Sequence, residues 1–469
     1  MKEQNKKYLN IKKIKKQVKG ITLIALVVTI IVLLILAGVA LNLTIGQNGI
    51  FQRAQDAANT WRNAEANEQS ALNDLSSWMD QYLNGNGGGE DNQGAIKVSF
   101  KIEGEKVTTP PIPSGFSHVD GTEINSGYVI QDGDGNQFVW VPVDKNQKIK
   151  INVTSEAKID SISLKDPYGD DITLADTDNL GTTYNNENVE PNINGTYILT
   201  VTSGEETKTK ELNVTNLYAL RMWELDMLTE EIAQAMGYEN LDQLMQDYFK
   251  MPAGSKVEDT KNMICQAYKQ GMFSNTEENK DSVNDNGGFY IARYEASYQA
   301  GKAASKASTS TNYSGNTNKL ANGMLWNYIS QTDALAKANE MYTSEGFTSS
   351  LPSGAAWDRT LSWLEETKQV SILELVGDSR TWGNYTDDTF TTGTVLINTG
   401  EYNETEKNHI FDLAGNLWEW TTEAYSSAGR VSRGGDCYNL GSEYPASCRN
   451  DSNPDGTGDY LGFRVALYL

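Results

Sequence analysis

The stretch that decides the fold is Phe411–Tyr425, "FDLAGNLWEWTTEAY". Asp412 and Glu419 stand seven residues apart with a Gly-Asn turn between them, so two carboxylates and the turn's carbonyls can converge on one point. Hard oxygens so arranged suit Ca²⁺, which takes six to eight of them; a capped turn without metal is the other reading. Trp418 and Trp420, large indoles in a loop-rich segment, read as core packing, with ligand stacking as the other reading.

Four more landmarks surround it. "GGFYIARYEAS" (Gly287–Ser297) and "SSLPSGAAWDRTLSWL" (Ser349–Leu364) precede it; "RGG" (Arg433–Gly435) and "GFRVAL" (Gly462–Leu467) follow. In this order the five motifs resemble the formylglycine-generating-enzyme (sulfatase-modifying factor) family, a variant of the C-type lectin fold, over roughly residues 285–469, with "FVWVPV" (Phe138–Val143) as an earlier strand. The resemblance implies a structural calcium ion held by the Asp412 and Glu419 side chains and by the Gly415 and Leu417 carbonyls.

It does not extend to catalysis, so the chain is expected not to be an enzyme. The oxygen-activating members bind copper through two cysteines five positions apart after "RGG", and those positions are Asn439 and Tyr444 here. Cys437 and Cys448 are eleven apart; they either form one disulfide or stay unpaired. With only His118 and His409, no three-histidine iron site can form, and no Gly-x-Ser-x-Gly, Walker or His-Glu-x-x-His motif occurs.

Another branch of this fold is the variable protein of diversity-generating retroelements, in which adenine-rich codons near the C terminus are rewritten while a scaffold stays fixed. Of the twenty-six residues between "RGG" and "GFRVAL", seventeen are Asp, Asn, Ser, Thr, Gly or Tyr, the set such rewriting yields. The resemblance implies a frame of Arg433, Gly434, Gly435, Pro445, Arg449, Pro454, Gly462, Phe463 and Arg464. The expected ligand contacts are Asp436, Tyr438, Asn439, Leu440, Tyr444, Asn450, Asp451, Ser452, Asn453, Asp455, Thr457, Asp459 and Tyr460. Tyr gives stiff contact area and Ser, Asn and Gly give adaptable hydrogen bonds, as in antibody loops; the bland reading is a fixed loop rich in turn formers.

Charge and hydropathy frame the rest. The 469 residues carry a net charge of -23, yet residues 1–20 hold eight Lys and one Glu, so the remainder carries about -30. So acidic a body lacks the clustered cations that phosphate contacts need, which argues against nucleic acid. The basic leader 1–20 precedes an uncharged apolar run, Ile21–Leu43, long enough to cross a bilayer with its lysine side in the cytoplasm. An amphipathic pattern continues to residue 83 and ends in a Gly-rich linker, 84–95.

Residues 1–83 resemble type IV prepilins, with cleavage by a prepilin peptidase expected after Gly20 and pilin-like assembly implied; Ala25 stands where pilins usually carry Glu, and a plain signal anchor is the alternative. Either reading predicts a single-pass membrane protein with its head at the cell surface.

The expected fold is α+β: a lectin-like head preceded by that long helix, with first head strands at 96–145, an inserted immunoglobulin-like sandwich at 146–216, and the head proper at 217–469, its variable segment being 433–469. The insert is read from short alternating runs such as "KIKINV" and "TYILTV" between turn residues. "DGDGN" (Asp132–Asn136) reads as a hairpin turn rather than a calcium loop, and Thr229 as a helix cap. The function these readings favour is a surface-displayed binder of a protein or glycan; a minor pilin or adhesin with one fixed target and a divergent oxidase are the alternatives.

Overall fold

A computed structural model of the chain describes residues 95–271, 273, 279–312, 320–343, 346–391, 395–426 and 428–469. The basic leader, the apolar and amphipathic run and nearly all of the linker lie outside the described residues. No described helix is long and apolar enough to cross a membrane.

Strand β1 (Ile96–Glu105) alternates apolar and polar residues and buries Ile96, Val98 and Phe100. Next come β2 (Phe116–His118), β3 (Val129–Asp132) and β4 (Gln137–Pro142). A second group follows: β5 (Lys145–Ser155), β6 (Ser161–Lys165), β7 (Asp171–Ile172), β8 (Thr183–Val189), β9 (Gly195–Ser203) and β10 (Glu206–Val214). Two sheets, β1-β5-β8 and β10-β9-β6-β7, share one apolar core, so a sandwich is present. Its membership corrects the boundary expected from sequence. β1 pairs antiparallel with β5 from Ile96↔Ser155 to Glu105↔Lys145 and belongs to the sandwich, not to the head.

Eight helices are described after the sandwich: α1 (Trp223–Asp226), α2 (Glu230–Ala235), α3 (Leu241–Asp247), α4 (Val257–Lys269), α5 (Lys280–Asn286), α6 (Gln331–Asn339), α7 (Gly354–Glu366) and α8 (Ile372–Val376). Thr229 caps α2, its side chain accepting from the Ile232 N–H with Glu230 and Glu231 in the first turn. Ser353 caps α7 in the same way, and α7 is buried from Gly354 to Leu364.

The head's strands are β11 (Gly288–Ala292), β12 (Ser297–Gln299), β13 (Lys302–Ala304), β14 (Thr348–Ser350), β15 (Trp418–Ala424), β16 (Arg430–Arg433), β17 (Arg449–Ser452), β18 (Leu461–Phe463) and β19 (Ala466–Tyr468). A six-stranded sheet runs β14-β19-β11-β4-β3-β2, so the last strand of the chain pairs on both sides. The expected hairpin is β3–β4, with Val129 opposite Val139. Its "DGDGN" turn is closed by Asp132, whose carboxylate accepts from the Asp134 and Asn136 N–H groups, the Asn136 amide and the Tyr342 hydroxyl. A four-stranded sheet, β17-β16-β15-β18, carries the tail, and Trp418 and Trp420 sink into the core beneath it, 3% and 0% exposed.

Candidate functional site

The tail is fastened from inside by one carboxylate. Asp358 of α7, fully buried, accepts from Arg433 Nη2, Arg449 Nη2, Trp223 Nε1 (2.7 Å) and the Arg221 backbone N–H (2.8 Å). Arg449 Nε also donates to Glu423 (3.0 Å), and Arg433 Nη1 to the Ser447 carbonyl (2.9 Å). Burial alone would lower the Arg449 pKa; the facing Asp358 carries it well above the ordinary value instead. These are charge-assisted bonds between fully buried side chains, so both ends of the loop 433–449 are fixed.

Two adjacent glycines turn the chain out of β16. Gly434 and Gly435 have φ of 96° and 84°, and a Cβ on Gly435 would lie 2.4 Å from the Tyr444 carbonyl. The turn brings the next residues over Trp418 and Tyr444, whose rings meet edge to face at 5.3 Å.

The thirteen expected contacts divide by exposure. Tyr438, Asp451, Asn453, Asp455, Thr457 and Tyr460 are exposed; Asn439, Leu440, Tyr444, Asn450, Ser452 and Asp459 are half-buried. Asp436 is a correction: it is only 3% exposed, and its carboxylate accepts from the Tyr438 N–H (2.9 Å) and the Asn439 amide (2.7 Å). It shapes an Asx turn under the face instead of meeting a ligand, and burial pushes its pKa up to about 6.

The exposed and half-buried residues form two groups. Tyr438 donates its hydroxyl to Asp459 (2.9 Å), the residue before Tyr460, which joins the 436–444 loop to the 453–460 loop. Asn450 and Ser452 point to one side of β17, where the Ser452 hydroxyl is 3.3 Å from Ser432; Asp451, between them, points to the other side, toward Gly429 and Tyr425.

Supporting loops outside the tail hold the first group. Thr386 N–H donates to the Asn439 carbonyl (3.0 Å), Gly441 N–H to Asp387 (3.0 Å), and the Asn327 amide to the Asp459 carbonyl (2.8 Å). Val395, 38% exposed, lies in the loop that includes Thr386 and Asp387. Sequence reading missed this loop because an isolated Val, Thr or Asp in a polar segment carries no periodic signal. It also missed Asp358, although a charge on the apolar stripe of "GAAWDRTLSWL" was a visible irregularity.

The residues expected to hold calcium do not fit that ion as a set. Both oxygens of Glu419 accept from Arg464, Nε to Oε2 at 2.6 Å and Nη2 to Oε1 at 2.5 Å. The guanidinium also donates to the Asp412 carbonyl (3.1 Å), so a fixed positive charge stands where the cation was expected. Gly415 turns at φ 70° with its N–H on the Gly434 carbonyl, and the Leu417 side chain packs with Leu325, Leu396 and Cys437. Asp412 is buried, with one oxygen on the Gly400 N–H (3.1 Å) and the other without a hydrogen-bond partner. Glu295 behaves alike: one oxygen takes the Asn416 amide, the other has no partner, and burial beside Asp412 and Glu419 holds its pKa well above the ordinary value. No group of three or more His, Cys, Asp or Glu that could hold a metal occurs among the described residues.

All three cysteines are free, so the Cys437–Cys448 disulfide left open by the sequence is not formed. Burial raises both thiols, Cys448 to about 12 and Cys437 further, so neither is a thiolate near neutral pH. Asn439, on Asp436, and Tyr444, against Trp418, fill the two positions at which the resemblance would put copper-binding cysteines. His118 Nε2 is engaged with Thr122 (2.9 Å to the carbonyl) and His409 Nδ1 with Glu406 (3.1 Å).

Comparison with known proteins places a Sulfatase-modifying factor enzyme 1-like domain at residues 268–469. Among solved structures, the crystal structure of CarF is similar at 15% identity, with 39% of this chain and 87% of that chain covered and a TM-score of 0.29. The Treponema denticola variable protein 1 is similar at 13% identity, with 76% of this chain and all of that chain covered and a TM-score of 0.23. No curated protein matches the chain.

Proposed function

We propose that this chain, whose residues 268–469 are a sulfatase-modifying factor enzyme 1-like domain, is a ligand-binding protein that uses its tail as the contact face, and not an enzyme. One observation carries the reading. Arg433, Gly434, Gly435, Arg449, Gly462, Phe463 and Arg464 are buried, while Tyr438, Asn453, Asp455, Thr457 and Tyr460 between them are exposed. A rigid frame under a surface of tyrosines and short polar side chains supports binding by the same physics as an antibody loop. Raised cysteine pKa values and the residues at 439 and 444 speak against copper chemistry by thiolates.

Retroelement diversification of the tail, and display at the cell surface through a prepilin-like membrane helix at 21–83, belong to the same proposal and rest on residue type and the apolar run Ile21–Leu43. Prepilin peptidase cleavage and pilin-like assembly remain part of it. The test is the DNA around the tail. A second, imperfect copy of the segment encoding 433–469, differing where the copy has adenine and lying near a reverse-transcriptase gene, is expected. Its absence leaves a binder with one fixed target. Binding itself is tested on the full chain with arrayed glycans and proteins: the expected result is a ligand lost on Y438A/Y460A, and retention by that variant of every ligand found overturns the tail as the contact face.

A further inference from the structure

We infer that the Tyr438–Tyr460 face takes a cationic partner, a protein segment presenting lysine or arginine. This rests on the reading of the tail as a binding face. From Arg433 to the C terminus there is no lysine, and the three arginines, 433, 449 and 464, are each buried against a carboxylate. The positive charge of the tail is therefore all internal. Glu443, Asp455 and Asp459 remain outside the buried core and form no ion pair among the described residues. On the supporting loop Arg380 is held by Asp378 (3.1 Å) and Asp387 (3.7 Å). Arg430 lies opposite Ser452 on the other group of contacts, so the inference is confined to the Tyr438–Tyr460 face.

Two of the four exposed large apolar side chains of the described residues are Tyr438 (38%), whose hydroxyl donates to Asp459, and Tyr460 (40%), the chain neighbour of Asp459. Exposed phenol rings with carboxylates on the same pair of joined loops are complementary to an ammonium or guanidinium group. The ring faces attract the cation and a carboxylate adds a charge-assisted hydrogen bond. An anionic partner would meet uncompensated carboxylates, so the same charges give discrimination as well as attraction.

The experiment uses the full chain and two fluorescent peptides of equal length, one alternating lysine with glycine and one alternating glutamate with glycine. Binding of the lysine peptide is expected, weakening as salt rises from about 0.05 to about 0.5 M. E443Q/D455N/D459N is expected to weaken it about tenfold, the scale of a few exposed charge pairs lost together. D176N/D178N/E205Q on the sandwich makes the same change in net charge and is expected to leave binding unchanged. Equal losses in both triple variants would overturn the inference, since the field of the whole acidic chain would then be responsible. A neutral oligosaccharide whose binding is lost on Y438A/Y460A, with no lysine-peptide binding, would overturn the cationic partner and leave the tail as the binding face.

Discussion

Arg433 and Asp358 meet with both side chains fully out of solvent, one at the start of the tail and the other on the buried helix α7. Arg449 occupies the second oxygen of the same carboxylate. One residue outside the tail thus sets where the tail leaves the sheet and where it returns. Asp358→Ala would leave two guanidinium groups buried with one carboxylate, Glu423, between them. The expected cost is about 3–5 kcal/mol of stability, the usual penalty for removing one partner of a buried pair. Urea denaturation followed by tryptophan fluorescence measures it, and a loss below about 1 kcal/mol would mean that water reaches the pair.

Arg464 is the third internal cation of the tail, and it faces Glu419, Asp412 and Glu295. Arg464→Met is expected to cost as much as Asp358→Ala, because it strips the only guanidinium that Glu419 has among the described residues. With Glu419 engaged by Arg464, EDTA is expected to leave the wild-type melting temperature unchanged. A fall on chelation that calcium restores would show instead that a cation shares the Asp412 pocket with Arg464.

Much of the head was legible because its signals are local. The β3–β4 hairpin and the Thr229 cap follow from β-rich runs, turn residues and capping chemistry within short windows. β1 shows where such reading stops. Its alternation of Ile96, Val98 and Phe100 announces a strand, but pairing with β5 is a contact about fifty residues away, which no local pattern specifies. Asp436 shows a different limit: Asp suits both a displayed contact and an Asx turn, and only the backbone direction after Gly435 decides between them. The calcium expectation depended on Glu419 being free, and the residue that occupies it, Arg464, lies forty-five positions on.

Asp436 makes stability depend on pH in a direction opposite to most carboxylates. Burial pushes its pKa up to about 6, whereas the unfolded chain ionises it near about 4. Between those values the folded state holds a proton that the unfolded state has released. Stability from this group is therefore present below about pH 4 and lost as pH rises through about 6, by up to about 3 kcal/mol. Asp436→Asn cannot titrate. Melting curves from about pH 4 to about pH 6.5 should show the wild type losing ground steadily against the variant. A constant gap would mean that Asp436 is already ionised in the folded protein at the acid end.

The frame and the face should answer substitution differently. Tyr438→Ser, Asn453→Ser, Thr457→Ala and Tyr460→Ser change exposed side chains, and each is expected to shift stability by no more than about 0.5 kcal/mol. Gly435→Ala adds one methyl group at φ 84°, where the new Cβ would lie 2.4 Å from the Tyr444 carbonyl and 2.7 Å from the Tyr385 ring. Neither neighbour can yield, since the Tyr385 hydroxyl is tied to the Gly434 and Tyr444 carbonyls at 2.8 and 2.9 Å. The expected loss exceeds about 2 kcal/mol, combining left-handed backbone strain with a backbone clash. Thermal melts of the five variants decide the matter: four near wild type and one far below would mark a surface free to vary on a turn that is not, while large losses at the four exposed positions would mean that the tail is a packed element with no residues to spare for a ligand.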